Sequence, residues 1–206
     1  MTEITLVIGS EARGADGLLG EVRALVVDPA ARTVTHLMVE PEGRSGLARL
    51  VPLDAVEAPA GELRLRCTQA EFRDLPPAEE MLAEFVPGYE APVQVLVPGW
   101  RDAGGQVVEG STIPRMPTSE TIDLVPGGEV AEHRGDRVHA TDGEIGEVRA
   151  LRIDAGSGRV TQVLLKEGHL WARKQVGIPA ANVTGFAGGI RLNITKQQVG
   201  DLPPDS

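Results

Sequence analysis

The six-residue string Gly-Glu-Val-Arg-Ala-Leu stands at Gly20–Leu25 and again at Gly146–Leu151, 126 positions apart. It anchors a longer repeat. Gly17-Leu-Leu-Gly20-Glu-Val-Arg-Ala-Leu-Val-Val-Asp28 matches Gly143-Glu-Ile-Gly146-Glu-Val-Arg-Ala-Leu-Arg-Ile-Asp154, and Val34-Thr35 matches Val160-Thr161. Past the next loop the offset is 127: Val51-Pro52 pairs with Ile178-Pro179, Val56 with Val183, and Asp74-Leu-Pro-Pro77 with Asp201-Leu-Pro-Pro204. The one-residue slip falls between Glu42 and Val51, where a loop absorbs it. A chain of 206 residues written this way is two copies of one small module. Each copy, roughly 75 residues, is near the lower size at which a core forms without covalent staples. The single cysteine, Cys67, excludes intrachain disulfides, so apolar packing has to hold each copy together.

Short runs bounded by turn residues make these modules all-β. Val22, Ala24 and Val26 alternate with Arg23, Leu25 and Val27, the period of a pleated strand. Val34–Val39 and Val160–Leu165 are rich in β-branched and aliphatic residues, and Asp16-Gly17 and Asp142-Gly143 are turn chemistry. Each copy closes with a strand, Leu63–Cys67 or Ile190–Ile194, that runs into Thr68-Gln-Ala-Glu71 or Thr195-Lys-Gln-Gln198. Both are capping boxes, in which the threonine hydroxyl takes the amide three residues on and the Glu or Gln reaches back. A short helical turn follows and Pro-Pro stops it. Five or six short strands and one helical turn close most simply as a small β-barrel.

The expected organisation is a first barrel over residues 1–77, a connection over 78–128 and a second barrel over 129–206. Pro76–Gly128 carries 8 of the 15 prolines and three of the six aromatics, Phe85, Tyr89 and Trp100. A free linker is poor in aromatics, so this segment is expected to run extended along the barrels, with Val93–Val97 alternating as a strand. It also concentrates charge: the net charge of −10 divides as −4, −6 and 0 over the three regions. An acidic chain lacks the attraction to phosphate that dominates nucleic-acid binding, which argues against direct contact with DNA or RNA. No apolar run approaches the ~20 residues needed to span a bilayer. The N-terminus shows no basic region or cleavage site, which makes the cytoplasm the expected compartment.

The run Val138-His-Ala-Thr-Asp142-Gly143-Glu-Ile-Gly146, an aliphatic strand ending in Asp, a Val-Thr-x-Leu strand, Gly168-His-Leu-Trp171 and then Ile178-Pro179 resembles a PRC-barrel domain. That is the small β-barrel of the photosynthetic reaction centre H subunit and of the ribosome maturation factor RimM. The first copy departs from the pattern, with Gly43-Arg-Ser-Gly-Leu47 in place of Gly-His-Leu-Trp, and Ile4–Ile8 serving as its first strand. The resemblance covers about 150 of the 206 residues and implies two tandem PRC-type barrels. It implies adaptor work, docking onto a protein partner, rather than catalysis. The alternatives are a RimM-like accessory factor acting through a ribosomal or ribonucleoprotein protein, and a barrel that binds a small ligand or metal. The edge strands of small barrels also admit a homodimer.

Residues that could carry chemistry are sparse. His133 and His139 with Asp142 match no standard zinc spacing, and no cysteine pair supports them. Cys67 has Arg64 and Arg66 nearby, but its counterpart in the second copy is Ile194, which reads as a core position. No serine stands in a Gly-x-Ser-x-Gly elbow, and Gly104-Gly105 and Gly127-Gly128 are not phosphate loops. Glu79-Glu80 reads as a solvated helix face. No catalytic, cofactor or metal site is therefore expected. The residues best suited to a partner are His169, Leu170, Trp171 and Arg173, in a loop of the second copy, and Trp100 in the connection, since Trp and Arg are the usual hot spots.

Overall fold

The computed structural model describes residues 2–43, 47–57, 62–83, 119–166, 176–186 and 188–203. The chain is mostly β. The first copy supplies β1 (Glu3–Val7), β2 (Glu11–Gly14), β3 (Gly17–Asp28), β4 (Thr33–Pro41), β5 (Arg49–Pro52), β6 (Val56–Glu57), β7 (Leu63–Leu65) and helix α1 (Gln69–Asp74). β8 (Glu79–Ala83) and β9 (Ser119–Asp123) pair in a separate two-stranded sheet. The second copy supplies β10 (Val130–His133), β11 (Arg137–Ala140), β12 (Gly143–Asp154), β13 (Val160–Lys166), β14 (Gly177–Pro179), β15 (Val183–Gly185), β16 (Ile190–Leu192) and helix α2 (Lys196–Gly200). Contacts divide the chain into one compact unit of residues 1–80 and 123–206 and another of 81–122.

Two seven-stranded sheets, each curled like half a barrel, make up the larger unit. Their orders are the same: β5-β4-β3-β2-β7-β6 in one and β14-β13-β12-β11-β16-β15 in the other. Even the irregularities correspond. β2 meets β7 in parallel, as β11 meets β16, and register shifts at Ala12/Arg13 and Val22/Ala24 recur at Val138/His139 and Val148/Ala150. Both capping boxes form, Thr68 with Glu71 and Thr195 with Gln198. Asp16 and Asp142 of the Asp-Gly turns add a second cap, accepting from the amides of Gln69 (2.9 Å) and Lys196 (2.8 Å). Each turn therefore ties a hairpin to the helix at the far end of its own copy.

The first strands, however, are exchanged. β1 pairs with β12 of the second copy, Glu3 opposite Asp154 and Val7 opposite Ala150. β10 pairs with β3 of the first copy, Val130 opposite Val27 and His133 opposite Ala24. The expectation that Ile4–Ile8 serves the first copy's own sheet is corrected by this pairing. The cause lies in the turns. β2 runs along the Gly17–Glu21 part of the β3 edge, and continuing straight upstream would carry the chain along Ala24–Val27. Instead the backbone turns aside at Gly9 (φ +91°) and, 126 residues on, at Gly135 (φ +93°), a left-handed conformation that glycine adopts without strain. Ser10 and Asp136 mark the turn in the same way, their carbonyls accepting from the amides of Val22 (2.9 Å) and Val148 (2.8 Å).

A second reciprocal contact joins the copies. The Val34 amide donates to the Gly158 carbonyl and the Val160 amide to the Arg32 carbonyl, both at 2.9 Å, around a bridge between Thr33 and Arg159. These pairs are again 126 apart, so the two β-hairpin tips meet about an approximate twofold axis. The result is one continuous core. Leu6, Leu25, Leu37, Phe72, Leu151, Ile153, Phe186 and Ile190 belong to a single buried cluster drawn from both copies.

In the first copy the string Gly-Glu-Val-Arg-Ala-Leu begins with glycine for a reason of space: a Cβ on Gly20 would overlap the carbonyl oxygen of Glu40 on β4. Gly20→Ala is therefore expected to cost roughly 3 kcal/mol or more, since overpacking against backbone has no cheap relaxation, and a urea unfolding midpoint measures it. The exchange makes a second prediction. With a protease site inserted near residue 100, the cut chain is expected to elute as one species in native gel filtration and to separate only in denaturant. Two fragments that part under native conditions would contradict the mutual strand pairing.

Candidate functional site

Trp100, His169, Leu170, Trp171 and Arg173 all lie outside the described residues. Within them, chemistry gathers on the first copy's sheet, where the chain returns from the connection. The outer face of that sheet carries Ala24, Val26 and Met38, with Ala131 of β10 beside Val26, and packs against Ala48, Ala78 and Val125. Pro76 and Ala78 reach it by backbone pairing: the Leu50 amide donates to the Pro76 carbonyl (2.9 Å) and the Ala78 amide to the Ala48 carbonyl (2.7 Å). Residues 124–133, returning to the sheet, form a strap that ends in β10.

Polar contacts fasten this strap. The Thr35 hydroxyl donates to Glu129 Oε2 (2.6 Å), and His36 Nδ1 lies 3.8 Å from the same carboxylate. His133 stands between two aspartates, Nε2 at 3.4 Å from Asp123 and Nδ1 at 3.9 Å from Asp136, whose carboxylate also accepts from the His133 amide (2.6 Å). Glu79, read from the sequence as part of a solvated helix face, lies instead on β8 and is only 3% exposed. Its Oε1 is 2.9 Å from Arg23 Nε, an ion pair without hydrogen-bond alignment, and its Oε2 accepts from the Ala48 amide at 3.2 Å. The Arg23 guanidinium also reaches Glu40 (3.5 Å).

Glu132, on β10, is the exception to this pairing. It is 1% exposed, and among the described residues neither carboxylate oxygen has a hydrogen-bond partner. Burial, reinforced by the nearby Asp136 carboxylate, pushes its pKa up to about 8. Sequence reasoning did not single it out, although a signal was present: carrying the offset of 126 upstream of Gly17 sets Glu132 against Leu6, which is equally buried.

Beside the strap an open groove of about 620 Å³ runs over β2, β3 and the end of β4. Glu11, Glu21, Glu40 and Glu42 line it with Arg23 and Arg134. Gly9 also lines it, so the crossing point of the two exchanged strands forms part of its wall. A smaller extension passes over Leu18 and Pro41 to Gln69, Phe72 and Arg73 of α1.

Elsewhere the geometry offers little reactivity. Burial raises the Cys67 thiol, and the carboxylates of Glu71 and Asp16 raise it further, so at neutral pH it stays protonated and a poor nucleophile. Among the described residues no three His, Cys, Asp or Glu side chains converge to hold a metal ion, and no helix is long and apolar enough to cross a membrane. No protein-family model matches the chain, nor does any curated protein.

The buried carboxyl sets a pH dependence. The folded chain holds the Glu132 proton more tightly than the unfolded chain, whose ordinary value is 4.5. Stability is therefore expected to fall as pH rises from 4.5 to about 8, by up to about 1.4 kcal/mol per pH unit, and to level off above. Subtracting the unfolding free energy of Glu132→Leu across that range isolates the effect. Parallel curves for the two proteins would remove it.

Proposed function

We propose that this chain is a non-enzymatic adaptor: two PRC-type barrels from an internal duplication, fused by exchange of their first strands, that dock a protein partner. The groove over β2–β4 is the observation that carries the reading. It is open rather than enclosed, whereas sites for small molecules surround most of the ligand. Four glutamates against two arginines favour a partner segment rich in Lys or Arg, for which charge complementarity supplies orientation and encounter rate. Trp100, His169, Leu170, Trp171 and Arg173 would extend the docking surface with aromatic and guanidinium anchors. The identical strand order of the two sheets and their matching capping boxes support the duplication, and the compartment that suits such a protein is the cytoplasm.

The test is capture of partners by tagged full-length protein from lysate of the source cells, with nuclease added, read by mass spectrometry. A stoichiometric, nuclease-resistant protein partner is expected, retained about tenfold less well by the double variant Glu21→Lys, Glu42→Lys. Ribosomal proteins as that partner would favour the RimM-like role. Absence of any partner, together with turnover of a substrate by the purified protein, would overturn the adaptor reading.

A further inference from the structure

Two nearly identical strand edges accept two unlike strands. Ala24-Leu25-Val26-Val27 on β3 takes β10, and Ala150-Leu151-Arg152-Ile153 on β12 takes β1. At the inward position opposite Leu151, β1 places Leu6, packed in the main core. At the inward position opposite Leu25, β10 places Glu132, equally buried and without a hydrogen-bond partner. A buried polar group lacking its partner opposes the packing of the element that carries it. β1 is matched to its edge, whereas β10 fills an edge of the same sequence with a mismatched side chain.

Among the described residues nothing compensates the buried carboxyl. On the core side β3 presents Val22, Leu25 and Val27, all apolar. The carboxylate that acts on Glu132 is Asp136, in the turn that follows β10, and it is of like sign. His133 with Asp123, and Arg23 with Glu79 and Glu40, pair among themselves. His36 and Glu129 fasten the strap ahead of β10. A strand held this way is displaced more readily than β1, and more so once Glu132 ionises.

We propose that the β3 edge at Ala24–Val27 is a strand-acceptor site that β10 fills in the isolated chain, and that an extended segment of a partner protein displaces β10 there. The inference rests on the adaptor reading and names the chemistry of its partner. β1 supplies the template: aliphatic residues at the positions of Ile4 and Leu6 facing the core, alternating with β-branched residues at Thr5 and Val7. Backbone pairing along the edge gives such a segment affinity, and the aliphatic residue opposite Leu25 gives it selectivity over β10. Because β10 is tethered, it competes at high effective concentration, so whatever loosens it favours the partner.

The probe is a fluorescent peptide with the sequence of Thr2–Gly9, titrated into the full-length chain at pH 6 and pH 9 and read by anisotropy. Binding is expected, about tenfold tighter at pH 9. Glu132→Leu, which gives β10 the matched side chain, is expected to weaken it about tenfold, and a peptide with Glu at the Leu6 position is expected not to bind. A second variant avoids the buried position: Val26→Cys with Ala131→Cys, a register pair of β3 and β10, staples the strap. Oxidised, it is expected to block the peptide, and reduction to restore binding. No binding at either pH, or equal binding by wild type and either the Glu132→Leu or the oxidised variant, would overturn the site. The native partner separates the two readings: one captured equally by Glu132→Leu leaves the adaptor standing and removes this site.

Discussion

The backbone edge of a long strand is the constraint on which the rest of this fold depends. β3 and β12 are each twelve residues long, and one neighbour, β2 or β11, covers only the first part of one edge. The remainder exposes amides and carbonyls that a core cannot leave unpaired. Because Gly9 and Gly135 turn the chain aside, neither copy fills that remainder itself, and each takes the strand of the other. Exchange thereby closes two edges at once and commits both copies to a single core. It also settles how the size problem is met: modules too small to bury much surface alone share one apolar interior.

The twofold relation is kept where the copies depend on each other and abandoned where they do not. The hinge glycines, the register shifts and the carbonyls of Arg32 and Gly158 correspond at 126 residues. The outer faces do not. Val26 and Met38 are fully buried beneath the strap, while the counterpart of Val26 is Arg152, half-buried and donating to Gln162 (2.5 Å) and Thr5 (3.4 Å). A covered face selects aliphatic side chains, and a face with access to water selects polar ones that bond along the strand.

Much of this was legible in the sequence, and the parts that were not share a cause. Local rules found the strands, the Asp-Gly turns and both capping boxes, because each is decided by residues within a few positions of one another. Cys67, read as a core position, is partly buried, and burial raises its thiol. The destination of β1 was illegible. Glu-Ile-Thr-Leu-Val suits the β3 edge as well as the β12 edge, since both present Ala-Leu followed by an aliphatic residue two positions on, and only the turn at Gly9 decides between them. Glu79-Glu80 misled for a similar reason: adjacent acids look solvated until a distant Arg23 and the Ala48 amide claim one of them. The Asp16 and Asp142 caps, about 53 residues from the amides they hold, lay equally beyond local reading.

An internal repeat also supplies its own control. Wherever two equivalent positions share backbone geometry but differ in side chain, the fold itself does not demand the difference. Leu6 and Glu132 occupy such positions, on strands of the same direction against edges of nearly the same sequence, and both are buried. Leucine at the first shows that the geometry accommodates an aliphatic side chain, so packing alone does not account for glutamate at the second. The cost falls on one strand only, the one continuous with the strap over the first sheet, and leaves β1 tightly held. A chain whose two copies were equivalent would release either first strand with equal ease. On the proposed displacement, the carboxyl-bearing member of the pair decides which edge opens, and the exchange that binds the copies together becomes directional.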